Sequence, residues 1–146
     1  MNNPDFGLLY AFLEDITPLA MDCGKLCGHA CCRPSDIEEN QGAQDAPSSG
    51  MRLFPGEAAF LQASCRLDDV SFVPCADGDT LLVFSGKCHR SCRPLSCRLF
   101  PLFPYVNEAG RVQAVYDPRA WRVCPLVRKH MHIPLRREFV RGVRRV

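Results

Sequence analysis

The sequence has no long apolar run and no basic, apolar leader. No stretch approaches the ~18 consecutive apolar residues of a membrane-spanning helix, so we expect no membrane partner. Residues 1–5 carry no positive charge and precede no long apolar run, unlike a secretory signal peptide. We therefore expect a cytoplasmic protein, in a compartment that keeps thiols reduced.

Motifs of several common enzyme classes are also missing. The chain contains no Ser-His-Asp order, no glycine-rich phosphate loop and no His-Glu-x2-His motif, which argues against the enzymes that use them. The acidic pairs Glu38-Glu39 and Asp68-Asp69 lie in segments that we predict to be surface loops. The sequence therefore leaves open whether the protein is an enzyme.

Lysine is scarce, with three residues against fifteen arginines, and the net charge of +2 is too small to indicate a polyanionic partner. The basic residues gather late in the chain, where residues 134–146 predict a short basic helix. Its apolar side chains recur on one face: Leu135, Phe139, Val143 and Val146. We expect this face to dock on the core, and we do not expect nucleic acid to be a partner.

Ten cysteines are the most unusual feature of the 146-residue chain. Where thiols stay reduced, dense cysteine spacing is typical of metal or redox chemistry rather than of disulfides. One cluster, residues 23–32, follows Cys-x3-Cys-x3-Cys-Cys in a predicted glycine-containing loop, and a second, residues 88–97, follows Cys-x3-Cys-x4-Cys. The two clusters together supply enough thiolates to close a four-sulfur site. We predict metal ligands from both clusters: Cys23, Cys27, Cys31, Cys32, Cys88 and Cys97.

The adjacent cysteines Cys31 and Cys32 leave two alternatives open, because their side chains diverge in an extended backbone. Either one binds the metal while the other packs as a small apolar residue, or the two serve different metals. For Cys65 and Cys75 we expect buried thiols, and a redox-active thiol pair is a further alternative. The histidines inside the clusters are not needed as ligands, since the thiolates suffice.

The second cluster belongs to a more specific pattern. Residues 88–101 fit Cys-x4-Arg-Pro-x2-Cys-Arg-x-Phe-Pro, with cysteine, arginine and proline at fixed offsets. Together with the first cluster, this pattern resembles the YkgJ-like family, also described as the CxxCxxCC or zinc/iron-chelating domain. The resemblance covers about residues 20–126. The chain departs from the common pattern where three residues, not two, separate Cys27 from Cys31, and where Cys92 is an extra cysteine that we interpret as a bystander.

The resemblance implies a metal-binding protein and adds Cys124, which matches a later cysteine of the family. The implied cofactor is Zn²⁺ or a [4Fe–4S] cluster, because one branch is similar to the iron–sulfur part of bacterial flagellin lysine methylases. Arg93 and Arg98 either donate N–H groups to the metal-bound sulfurs or hold the local turn and pair with acidic residues. The alternative function is a redox or iron–sulfur enzyme component that assists modification of another protein, which would be its partner.

The pattern of short elements predicts an α+β fold. We expect a small single domain, residues 1–146, of short helices and hairpins with much loop round the cysteine metal site. The metal-binding core would span about residues 20–126, with the basic C-terminal helix at about 134–146. Helical patterns cover residues 4–22, bent at Pro18, residues 55–65, and a segment that Asp117 caps. Two hairpins and one exposed loop complete the prediction: 71–75 with 80–84, 102–106 with 111–116, and the loop 34–50.

Overall fold

The computed structural model describes residues 4–32, 50–65, 70–84, 89–128 and 134–146. The fold is α+β, as predicted, with short helices and antiparallel strands. The α-helices of the described ranges are α1 (Phe6–Phe12), α2 (Cys23–Cys27), α3 (Glu57–Ser64), α4 (Leu95–Leu99), α5 (Ala120–Val123), α6 (Pro125–Arg128) and α7 (Arg137–Val143). The strands are β1 (Met51–Arg52), β2 (Val70–Pro74), β3 (Thr80–Phe84), β4 (Leu102–Val106) and β5 (Val112–Tyr116).

The chain divides into two compact units. We call Cys32–Ser96 the central unit, and Pro4–Cys31 with Cys97–Val146 the terminal unit. The central unit holds a three-stranded antiparallel sheet in the order β1-β3-β2, and the terminal unit holds the β4–β5 hairpin. No helix of the described ranges is long and apolar enough to cross a membrane.

The first predicted hairpin is confirmed in the central unit. Strands β2 and β3 pair antiparallel from Val70 opposite Phe84 to Pro74 opposite Thr80. Between them the Gly78 N–H donates to the Cys75 carbonyl over 3.0 Å. Gly78 has a φ of +88°, a conformation that side-chain-bearing residues rarely adopt. The Asp-Gly step of the sequence therefore sets this turn.

Helix α3 is also confirmed, and a buried carboxylate fixes its start. The helix begins at Glu57, two residues later than predicted, since Gly56 is its N-cap and Pro55 lies before it, and it ends just before Cys65. Glu57 is fully buried. Its carboxylate accepts the N–H of Phe54 over 2.9 Å and the N–H of Leu95 over 2.7 Å. The second bond ties α3 to the first residue of α4.

The predicted helix over residues 4–22 is wrong in length, because α1 ends at Phe12. The backbone then turns, with the Ile16 N–H donating to the Leu13 carbonyl over 3.4 Å. Leu13 is fully buried. Ile16 lies so close to α7 that a Cβ atom at Gly142 would be 3.0 Å from its Cγ2. Packing against α7 therefore overrides the local helical pattern.

The second hairpin and the C-terminal helix are both confirmed. Strands β4 and β5 pair antiparallel, and α7 packs on both of them. Phe139 and Val143 of α7 are fully buried, while Leu135 and Val146 are half-buried. The apolar face of the basic helix thus docks on the core of its own unit.

The helix predicted from Asp117 begins three residues later, at Ala120. The Asp117 carboxylate accepts the Arg119 N–H over 2.9 Å, and the Ala120 N–H donates to the Asp117 carbonyl over 2.8 Å. Asp117 therefore caps a turn before α5 rather than the helix itself. The predicted loop 34–50 lies outside the described residues, except for Gly50.

Candidate metal centre

The first cysteine cluster lies on helical turns, so the predicted loop is wrong there. Cys23 and Cys27 are the first and last residues of α2, and Cys31 lies on the 3₁₀ helix Ala30–Cys32. The Asp22 carboxylate caps α2 by accepting the Gly24 N–H over 3.1 Å. Residues four apart share one helical face, so α2 directs Cys23 and Cys27 to the same side.

A glycine and a histidine shape the return of the chain from Cys27 to Cys31. Gly28 and His29 both have positive φ, +61° and +59°, which ends α2 and reverses the backbone. The His29 N–H donates to the Gly24 carbonyl over 3.0 Å. A Cβ atom at Gly24 would lie 2.6 Å from Nδ1 of His29, so the imidazole packs directly on the glycine.

Cys124 belongs to the buried core that the first cluster contacts. It is buried with four other residues of the terminal unit: Leu19, Phe100, Ala120 and Leu126. Cys23 and Cys31, both half-buried, pack against this core. The fold thus gathers cysteines from two distant parts of the chain round one apolar cluster.

Some features around Cys124 raise the pKa of its thiol and others lower it. Burial raises the pKa of the Cys124 thiol, and the nearby Cys27 raises it further. The backbone N–H groups of Leu126 and Val127 hydrogen-bond the sulfur and lower the pKa, and the net shift is upward. The thiol therefore keeps its proton at neutral pH.

The start of α6 directly after Cys124 follows from a sequence signal that we did not recognise. Pro125 is the first residue of α6, a position that proline favours because its missing N–H has no helical partner. Cys124 ends α5 as its C-cap and directly precedes α6, and the N–H groups of Val127 and Arg128 donate to the Cys124 carbonyl. The Cys-Pro step was the available signal.

The other predicted ligands are divided between the two units. Cys97 is half-buried on α4 and belongs to the terminal unit with Cys23, Cys27, Cys31 and Cys124. Cys92 belongs to the central unit, at the end of the 3₁₀ helix Arg90–Cys92. Cys88 and the side chain of Cys32 lie outside the described residues.

Cys65 and Cys75 are not the buried thiols that we expected. Cys65 forms a disulfide with Cys92 within the central unit, with Cα atoms 5.7 Å apart, an ordinary separation for a disulfide. Cys75 is a half-buried thiol in the turn between β2 and β3. The interpretation of Cys92 as a bystander to the metal site agrees with this pairing.

Of the two arginines of the motif, Arg98 makes the contact of the second alternative, a pairing with an acidic residue. The buried Arg98 binds the Glu14 carboxylate over 2.9 Å, and its guanidinium lies 4.5 Å from the centre of the Tyr10 ring. Arg93 follows the 3₁₀ helix and donates its backbone N–H to the Arg90 carbonyl over 3.1 Å.

The chemistry of the donors fits a thiophilic metal, since zinc and iron–sulfur centres both take cysteine sulfur. In the part of the chain that the structure describes, no three His, Cys, Asp or Glu side chains form a group that could hold a metal ion. The comparisons with protein-family models, curated proteins and solved structures find no match. The resemblance to the YkgJ-like family therefore stays a prediction from the motif.

Proposed function

We propose that the terminal unit binds a metal centre, zinc or a [4Fe–4S] cluster, through the sulfurs of Cys23, Cys27, Cys31 and Cys124. The observation that carries the proposal is the core round the buried Cys124, against which Cys23 and Cys31 pack. Cys27 is near enough for its charge to raise the pKa of Cys124. Cysteines from two distant parts of the chain thus lie near one apolar core within one unit.

The surroundings also suit a metal-bound thiolate at Cys124. Leu19, Phe100 and Leu126 exclude water, which strengthens the attraction between a cation and a thiolate. The N–H groups of Leu126 and Val127 would stabilise the sulfur charge once the metal has displaced the proton. Binding of a metal at a thiol with a raised pKa releases a proton, so affinity should fall as the pH falls.

Cys97 is the further candidate ligand, because it lies in the same unit and in the most specific part of the motif. Cys32 and Cys88 remain predicted ligands on the strength of the sequence pattern. A structural zinc ion and a [4Fe–4S] cluster each need four ligands. Additional cysteines would then serve as replaceable ligands or as buried thiols.

Zinc and a [4Fe–4S] cluster would give the purified protein different colours and absorption spectra. An iron–sulfur protein purified without oxygen would be brown and would absorb near ~400 nm, and dithionite would bleach it reversibly. That outcome would favour a redox or iron–sulfur enzyme component. A colourless protein with one zinc per chain would favour a closed, structural site.

Metal content of single-cysteine variants tests the assignment. We expect Cys124→Ser and Cys27→Ser, purified without oxygen, to lose at least about tenfold in metal affinity, because each removes a thiolate. The matched control is Cys75→Ser, which removes a half-buried thiol of the central unit and should leave the metal content unchanged. Full metal content in Cys124→Ser would contradict the proposal.

A further inference from the structure

Cys65 and Cys92 form a second sulfur site, inside the central unit and apart from the proposed ligands. Cys65 follows the last residue of α3, and Cys92 ends the 3₁₀ helix Arg90–Cys92. Their disulfide joins segments 27 residues apart in sequence. We propose that this pair is a reversible redox site, which exchanges electrons with a low-molecular-weight disulfide such as oxidised glutathione.

The first argument is that the two segments are held together without the disulfide. The buried Glu57 carboxylate of α3 accepts the N–H of Leu95 over 2.7 Å. The Ser96 hydroxyl donates to the Arg52 carbonyl over 2.9 Å. Both bonds join the chain that leads to Cys65 to the chain that follows Cys92. Reduction would therefore leave the sulfurs as neighbours, and a preserved position gives the second thiol a high effective concentration for closing the bond again.

The second argument is access. Both cysteines are half-buried, so a small reagent can reach the sulfurs. The exposed Ser91 lies beside them, with its carbonyl oxygen 3.9 Å from Cys65 Sγ and its hydroxyl 3.8 Å from Cys92 Sγ. The hydroxyl is a hydrogen-bond donor that can stabilise a thiolate at Cys92. Partial exposure and polar neighbours distinguish reactive cysteines from inert, buried ones.

The proposed reaction has two steps, each a thiol–disulfide exchange. One cysteine thiolate attacks a sulfur of oxidised glutathione, forming a mixed disulfide and releasing one glutathione thiolate. The other cysteine thiolate then attacks the protein sulfur of that mixed disulfide, forming the Cys65–Cys92 bond and releasing the second glutathione thiolate. The two protons lost by the cysteines end on the two glutathiones. The protein pair is oxidised by two electrons and one glutathione disulfide is reduced.

The test uses the full chain in glutathione buffers, with acid quenching, alkylation of thiols and peptide mass spectrometry. We expect Cys65 and Cys92 to change state together and reversibly, without a change in far-ultraviolet circular dichroism. At a fixed ratio of oxidised to reduced glutathione, about tenfold dilution of the buffer should raise the disulfide-to-dithiol quotient about tenfold, because two reduced glutathiones leave per bond formed.

Cys75 is the matched control, since it is a half-buried thiol of the same unit. A single cysteine forms only a mixed disulfide, whose amount depends on the glutathione ratio and not on dilution. In Cys65→Ser we expect Cys92 to accumulate as the glutathione mixed disulfide, because the resolving sulfur is gone. Cys92→Ser should trap Cys65 in the same way, which provides a second variant if the first folds poorly.

Three results would overturn the proposal. The first is alkylation of both cysteines in the most oxidising buffer, and the second is a bond that opens only when the chain is unfolded. The third is a response to dilution no greater than that of Cys75. Metal content measured in the same samples separates this site from the proposed metal centre, because the cysteine pair can cycle whether or not a metal is bound.

Discussion

The buried charged side chains of the described ranges are Glu57, Arg98 and Asp117, and each has a bonded partner. Glu57 binds backbone N–H groups, Arg98 binds Glu14, and Asp117 binds Arg119. Burial of a charge is costly unless hydrogen bonds or an opposite charge offset it. Removal of one partner therefore has a larger effect than the same change on the surface.

Glu57→Ala is expected to destabilise the protein by about 2–4 kcal/mol, because it leaves the N–H groups of Phe54 and Leu95 without their acceptor. The measurement is the free energy of unfolding in urea, followed by circular dichroism. The matched control is Glu108→Ala, which removes an exposed carboxylate in the turn between β4 and β5 and should change stability by less than about 0.5 kcal/mol. Equal effects of the two variants would contradict the account.

The lowered pKa of the Asp117 carboxyl predicts in which direction the stability of the protein changes with pH. Burial alone raises the pKa of its carboxyl, but hydrogen bonds from the side chain and backbone of Arg119 outweigh burial and hold the pKa below its usual value. A lowered folded-state pKa stabilises the protein above the unfolded value of about 3.9, and this contribution is lost as the pH falls through the folded-state pKa.

We therefore expect wild type to exceed Asp117→Asn in free energy of unfolding by about 1–2 kcal/mol at pH 7. The difference should shrink as the pH falls below about 4, where the carboxyl of the unfolded chain begins to bind a proton. Urea unfolding of both proteins at pH 7 and pH 3 measures it. A difference that grows in acid would have the wrong sign.

At the scale of elements, turns could be predicted where their chemistry is local. The Asp-Gly step before β3 and the Pro-Gly-Glu start of α3 each fix a backbone conformation within a few residues. The end of α1 could not be predicted, because the contact between Ile16 and Gly142 joins residues far apart in sequence. The helical turns of the first cysteine cluster could not be predicted, because so short a segment shows no helical spacing of apolar residues.

In the candidate site, too, some features could be predicted from the sequence and others could not. The motif indicated ligands from both clusters and Cys124, and of these the structure packs Cys23 and Cys31 against the core that contains Cys124. The sequence did not indicate that Cys92 pairs with Cys65, because cysteine connectivity depends on the tertiary fold. It also gave no sign of which cysteines belong to which unit.

The turn after α2 depends on the close contact between Gly24 and the imidazole of His29. Alanine at Gly24 would gain up to about 1 kcal/mol of helix propensity, but its Cβ atom would lie 2.6 Å from Nδ1 of His29. The imidazole would have to shift to make room for that atom. We expect Gly24→Ala to destabilise wild type by about 1–2 kcal/mol.

The same substitution in a His29→Ala background should instead be neutral or stabilising, because the clash is gone while the gain in helix propensity remains. A double-mutant cycle of unfolding free energies measures the coupling between the two positions. Additive effects of the two substitutions would show that the imidazole does not restrict residue 24.

At the scale of the whole molecule, composition and pattern were enough to predict an α+β fold. Sulfur is divided between the units: the terminal unit holds Cys23, Cys27, Cys31 and Cys124, the four ligands of the proposed centre, and the central unit holds the disulfide. This division predicts that metal removal and thiol oxidation act on separate parts of the chain. The proposed function of each unit can therefore be tested without disabling the other.

X-ray absorption at the K-edge of the zinc or iron that copurifies with the oxygen-free full chain tests the proposed metal centre most directly. We predict a shell of about four sulfur atoms at about 2.3 Å, since cysteine thiolates would supply every protein ligand. A shell of oxygen and nitrogen alone, or a protein that retains neither metal, would contradict the account.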